Sequence, residues 1–279
     1  MENIKSLYIL RLIFNDIPKL MTLKIVKYNK NLLNKLNIGF NDFKELSKIE
    51  IEITPTTKEY GEFIKYVKGH EHYFDIYFDD EKEKFKRNII TEKNPVSKIT
   101  IKIDNKVQYL ISLFEKCNAI ETILFRKFYR SNIINMRYMF KSCPNLQMVT
   151  LYNCNTENVI DMSYMFQCCP DLQVVNLSNC NIEKVKSMKG MFEWCVSLKY
   201  VYFSNCKIKP DTNLSYMFYN CKSLIELDIS GFDLENLEPE KINHMFTGCS
   251  ERIMEQICEQ FLYISDKAFE NEKIRCRRI

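Results

Sequence analysis

Glycine and proline are scarce, 6 and 7 in 279 residues, which excludes collagen-like repeats and long flexible or proline-rich linkers. No run of 18 apolar residues occurs, so no segment is expected to cross a membrane as a helix. The opening MENIKSLYILRLIFNDIPKL is broken by charged and polar residues and has no small-residue cleavage site, so no secretory signal is expected. A strong excess of one charge is also missing. The 40 basic and 36 acidic residues leave a formal net charge of +4, which argues against nucleic acid as the partner. The motifs G-x-G-x-x-G, G-x-x-x-x-G-K-[ST] and G-x-S-x-G are absent, and no motif fixes a pair of carboxylates. The expectation is a chain that is not an enzyme, with no catalytic residue, cofactor or metal.

What is present is a repeat. Hydrophobic residues make up 46% and charged residues 27%, a globular mix. Met-Phe or its equivalent recurs every 26 residues, at Leu113-Phe114, Met139-Phe140, Met165-Phe166, Met191-Phe192 and Met217-Phe218. A sixth copy, Met245-Phe246, follows after 28, implying a two-residue insertion near Glu238 and Pro239. Three positions after each Phe comes a cysteine: Cys117, Cys143, Cys169, Cys195, Cys221 and Cys249. Periods of 20–50 residues mark solenoids, in which one coil cannot bury its apolar face alone and stacked coils share a core.

Each unit has the same internal order. Met162, Met165, Phe166 and Cys169 fall at i, i+3, i+4 and i+7, the spacing of one face of a short helix. Leu172, Val175, Leu177, Cys180 and Ile182 then fit the leucine-rich-repeat pattern L-x-x-L-x-L-x-x-N/C-x-L. The recurring M-x-x-M-F-x-x-C-x-x-L-x-x-V-x-L with an Asn-rich turn resembles the BspA-type leucine-rich repeats of microbial and protist proteins, over about residues 98–250. That resemblance implies a solenoid used for adhesion or protein binding and carries no catalytic residue. The expected fold class is therefore α/β: a leucine-rich-repeat solenoid of 26-residue coils, each a short parallel strand plus a short helix. An α+β N-terminal cap and a C-terminal capping helix complete it. The expected boundaries are a helical module at 1–45, a β-rich cap at 46–97, the solenoid at 98–249, and a capping helix with a basic tail at 250–279.

In the flanks, two helices are expected at about 3–15 and 18–36. A strand is expected at 49–54, a hairpin between 73–78 and 84–90, and a first rung of the sheet at Ile99, Ile101 and Ile103. Ser250 is placed to cap a helix from Glu251 whose apolar face is Ile253, Met254, Ile257, Cys258 and Phe261. The stretches YILRLIFNDIP and LKIVKYNKNLLNKL vaguely resemble an F-box, and C-x-x-L-x-x-L-x-L-x-x-C is similar to the repeats of F-box receptors. That likeness implies an alternative role as a substrate receptor subunit of a cullin-type ubiquitin ligase.

Twelve cysteines without an export signal point to reduced thiols in the cytoplasm. Their one-per-coil recurrence makes rows along the solenoid, where cysteine acts as a small buried hydrophobe, rather than a metal cluster. Cys168 breaks the rows and is expected to point outward. His70 and His72 would share a face of a strand but lack further ligands, and His244 is expected at the surface. Cys276, fourth from the end, stands at a prenylation position with arginines where aliphatic residues belong, so peripheral membrane attachment is a minor alternative.

Binding is expected on the outward strand face. Its residues are Arg126, Met148, Tyr152, Val174, Asn176, Tyr200, Tyr202, Glu226 and Asp228. Met and aromatic residues hold the centre, as in interface centres, with basic residues at one end and acidic residues at the other. The expected function is a non-catalytic protein-binding scaffold.

Overall fold

The computed structural model describes residues 45, 47–66, 69–79, 81–234, 236–261 and 266–269. The helices expected at 3–15 and 18–36, the F-box-like stretches and Cys276 lie outside the described residues.

The repeat folds as a β-solenoid. Strands β6 (Ile120–Lys127), β7 (Met148–Thr150), β8 (Val174–Asn176), β9 (Tyr200–Tyr202) and β10 (Glu226–Asp228) pair in parallel. Each pairing steps 26 residues, as in Thr122, Met148, Val174, Tyr200 and Glu226. A second parallel row of bridges joins Tyr109, Asn135, Asp161, Ser187 and Asn213 at the same interval.

The helix expected in every coil is not there. In its place stand two consecutive β-turns. The Met191 amide closes a turn on the Met188 carbonyl at 3.1 Å, and the Cys195 amide closes one on the Phe192 carbonyl at 3.0 Å. The intervening amides point the other way. Met188, Gly190, Phe192 and Trp194 donate to the carbonyls of Asn213, Ser215, Met217 and Tyr219 in the next coil, at 2.8–2.9 Å. These amides are therefore used by a turn or by the neighbouring coil, and the Lys189 amide by the Ser187 hydroxyl, so none of them is left for the i→i−4 ladder of a helix. Both geometries turn residues i, i+3, i+4 and i+7 inward, so hydrophobic spacing alone does not separate them. Met136, Met139, Phe140 and Cys143 are indeed all buried.

The turns require left-handed backbone at their third residue. One such column holds Ser112, Tyr138, Tyr164, Gly190, Tyr216 and His244; a second holds Lys116, Ser142, Cys168, Trp194, Asn220 and Gly248. A third turn, closed from the Cys206 amide to the Phe203 carbonyl, places Asn205 there, as its equivalents place Asn179 and Asn153. This explains the Asn-rich turn, since asparagine tolerates that region. The residues there other than glycine and asparagine carry a cost of about 1–2 kcal/mol each, which the inter-coil hydrogen bonds offset.

Inside, like side chains stack. Phe114, Phe140, Phe166, Phe192, Phe218 and Phe246 form a ladder of rings 5.0–5.7 Å apart and 1–9° from parallel. Phe269 adds the last rung at 5.7 Å, while the Phe246 amide donates to the Ala268 carbonyl. Residues 266–269 thus act as a final coil edge that the period did not reveal. The cysteines lie beside the ladder. Cys143, Cys169, Cys195, Cys221 and Cys249 each donate Sγ–H to the carbonyl of the Phe one coil earlier, at 2.9–3.1 Å. The thiol is small enough for the core and satisfies a second lone pair on a buried carbonyl.

A second row, Cys154, Cys180 and Cys206, is flanked by Phe128 and Phe232 at its ends, and all five are buried. Burial pushes the thiols up, to about 12 for Cys117 and Cys180 and about 11 for Cys206. Among the described residues ten cysteines are outside disulfides, and of these Cys168 alone is exposed. Cys258 is disulfide-bonded, which departs from the expected set of reduced thiols.

The N-terminal strands β1 (Ile49–Pro55), β3 (Phe74–Phe78) and β5 (Ile99–Ile103) join the same sheet, in the order β10-β9-β8-β7-β6-β1-β5-β3. Strand β1 (Ile49–Pro55) pairs antiparallel with β6 on one side and β5 (Ile99–Ile103) on the other. The expectation that Ile99–Ile103 is the first rung is therefore corrected. β1 takes that place, because its alternating Ile49, Ile51 and Ile53 bury one face over Ile123 and Phe125. Strand β3 (Phe74–Phe78) pairs with β5. The expected hairpin is reduced to one bridge, Ile76 with Phe85, while β2 (Gly61–Glu62) takes β4 (Ile89–Ile90). His70 precedes and His72 lies within a 3-10 turn, Glu71–Tyr73, and not a strand; both rings contact Tyr73.

Helix α1 (Glu251–Gln260) closes the other end, burying Ile253, Met254 and Ile257. Ser250 sits at the N-cap but makes no side-chain cap. Its hydroxyl donates to the Leu224 carbonyl at 2.7 Å, and Gln256 Nε2 donates to the Leu227 carbonyl at 3.2 Å. Two side chains thereby cover carbonyls at the open end of the stack. The two extra residues of the last repeat fall where the 3-10 turn Pro239–Lys241 lies.

Candidate interaction face

The parallel register builds the outward face column by column. Thr122, Met148, Val174, Tyr200 and Glu226 make one row; Leu124, Thr150, Asn176, Tyr202 and Asp228 make the next. Between these rows Val149, Val175, Val201 and Leu227 point inward and are buried, so alternation fixes which side chains face out. Met148 and Tyr152 are 42% and 49% exposed, while Val174, Asn176, Tyr200 and Tyr202 are half-buried by their neighbours along the rows. Tyr152 lies just beyond β7, beside the strand face.

The charges at the two ends differ in availability. Arg126 is held by Glu52 of β1, with Nε to Oε2 at 3.2 Å and Nη2 to Oε1 at 2.9 Å. Lys127 Nζ lies 2.6 Å from Glu50 Oε2. The basic end expected from the sequence is therefore neutralised by acids of β1, whose register against β6 was not legible. At the other end Glu226 is exposed. Burial works to raise the Asp228 carboxyl, but hydrogen bonds from the Ser204 and Ser230 hydroxyls and the Ser230 amide outweigh it and hold the group below its usual range. Burial and neighbouring Glu226 push the Tyr202 hydroxyl up. The face thus has an apolar and aromatic centre and an acidic end at Glu226 and Asp228.

The opposite, turn-lined side carries aromatic residues too. Tyr138 stacks on Tyr164 at 5.5 Å and Tyr216 on His244 at 4.9 Å, which places His244 half-buried in a ring column. Arg137 lies over Tyr138 at 4.5 Å. These rings are packed against each other and against the chain's own cations.

Among the described residues, no three His, Cys, Asp or Glu side chains are grouped to hold a metal ion, and no helix is long and apolar enough to cross a membrane. No curated protein and no solved structure matches the chain. One family matches twice, over residues 108–223 and 155–257, which together span more than half of the chain. Both stretches lie on the stacked coils, and the second runs on into α1. The chain belongs to the family described as "Mycoplasma protein of unknown function, DUF285".

Proposed function

We propose that the chain is a non-catalytic, BspA-like scaffold that binds a partner protein through the outward face of β6–β10. One observation carries this reading. Met148, Val174 and Tyr200 line up in register, with Tyr152 and Tyr202 beside them, on a sheet whose backbone is fixed by pairing on both sides. Met and Tyr are the residue types that dominate interface centres, and a rigid platform loses little entropy on binding. The acidic end at Glu226 and Asp228 favours a partner with a basic group beside its apolar contact, and disfavours nucleic acid. The proposed setting is the cytoplasm, supported by ten free thiols and opposed by the disulfide at Cys258.

The test is Tyr200→Ala combined with Tyr202→Ala. Partner capture from the native source should fall by on the order of tenfold or more, with the circular dichroism of the domain unchanged. Equal capture by the folded double variant removes this face from consideration.

A further inference from the structure

A cleft of about 560 Å³ opens where the N-terminal strands meet the first coil. Its volume is in the range of small-molecule sites. One wall is the stacked pair Tyr66 and Phe74, with rings 5.5 Å apart and 26° from parallel. The opposite rim is Tyr109 and Ile111, which are 57% and 45% exposed, two of the most exposed large apolar side chains described. The walls are tied together by backbone. The Lys65 amide donates to the Leu113 carbonyl at 2.7 Å, and Tyr109 is bridged to Asn135 of the next coil. The cleft is thus formed before any ligand arrives.

The basic residues Lys65, Lys106 and His70 line it, and none of its lining among the described residues is acidic. Of the nearby acids, Glu62 pairs with Lys65 at 3.4 Å, and Asp104 accepts the Lys106 amide at 2.9 Å. Glu71, beside His70, accepts backbone amides that hold its carboxyl below the usual range. Behind the wall, Arg130 donates Nη1 to the carbonyl of Val107 at 2.8 Å, while its buried Nε and Nη2 have no hydrogen-bond partner among the described residues. Burial lowers the Arg130 guanidinium to about 10, so it remains a cation at neutral pH. Aromatic walls beside Lys65 and Lys106 suit a ligand that joins a flat ring to a negative group.

We propose that this cleft binds a planar aromatic anion, with the ring against Tyr66 and Phe74 and a carboxylate or phosphate facing Lys65 and Lys106. The site is separate from the outward strand face and does not depend on it. The full chain is titrated by calorimetry with two probes, adenosine monophosphate and 1-naphthoate, and with their neutral counterparts, adenosine and 1-naphthalenemethanol. At least one anion should bind saturably, and its neutral counterpart at least tenfold more weakly. Binding of adenosine monophosphate alone assigns a phosphate, and binding of naphthoate alone a carboxylate.

Lys106→Gln should weaken the anion by on the order of tenfold and leave the neutral counterpart unchanged, since it removes one charge-assisted contact. Tyr109→Ala, at an exposed rim position, should weaken both with the circular dichroism unaltered. The proposal is overturned if neither anion binds, if anion and neutral counterpart bind alike, or if both folded variants bind as the natural chain does.

Discussion

The phenylalanine ladder makes a quantitative prediction. Phe166 is fully buried and stacks on both sides, 5.0 Å from Phe140 and 5.3 Å from Phe192, with interplanar angles of 9° and 3°. Each stacked pair contributes about 0.5–1.5 kcal/mol beyond its buried area. Phe166→Leu keeps most of the apolar volume but loses both ring contacts, so it should cost about 1–3 kcal/mol from stacking and roughly 1 kcal/mol more from shape mismatch. The sharper reading comes from pairs. Phe140→Leu with Phe166→Leu should show a coupling of about 0.5–1.5 kcal/mol, because the two rings touch. Phe140→Leu with Phe192→Leu should be additive within about 0.5 kcal/mol, because the Phe166 ring lies between them. The assay is urea unfolding followed by far-ultraviolet circular dichroism and by fluorescence of Trp194, the single tryptophan. Additive energies for the touching pair, or equal coupling in the two pairs, would refute nearest-neighbour stacking as the source of the core's stability.

Two further predictions concern backbone and thiols. Ser142 has φ 58° at a turn position that holds Gly248 in the last repeat. Ser142→Gly should relieve about 1–2 kcal/mol of strain at a cost of about 0.5–1 kcal/mol in chain entropy, and raise the urea midpoint slightly. A lowered midpoint contradicts the turn assignment. Cys117 and Cys180 stay protonated in the folded chain to about pH 12, against an ordinary thiol value of 9.0. The unfolded chain releases these protons first. Their stabilisation is thus complete below pH 9 and declines as pH rises toward 12, by about 1.4 kcal/mol per pH unit per thiol. The urea midpoint should fall above pH 9, and Cys180→Ala should flatten that fall; a flat profile in the natural chain contradicts the buried-thiol rows.

The period, the inward columns and the outward rows were legible because they depend only on spacing. Met148, Val174 and Tyr200 share a row because the strands repeat at 26 residues, whatever joins them. The joining structure was not legible. Met188, Met191, Phe192 and Cys195 read equally well as a helix face or as two turns, and tyrosine, serine and tryptophan at the left-handed positions conceal the turn chemistry that glycine would reveal. Gly190, where an added Cβ would lie 2.6 Å from the Tyr164 ring, was the one local hint in the central coils. Long-range pairings were hidden for a different reason. Glu52 neutralises Arg126, and Phe269 completes the ring ladder, through contacts between segments that no repeat relates.

Hydroxyl-radical footprinting of the chain with its captured partner tests the binding face most directly, since it reports on methionine and aromatic side chains. Met148, Tyr152, Tyr200 and Tyr202 should lose reactivity in the complex, while Trp194 and Tyr138 on the turn-lined side keep theirs. Protection of Trp194 and Tyr138 with the strand-face residues unchanged would contradict the account.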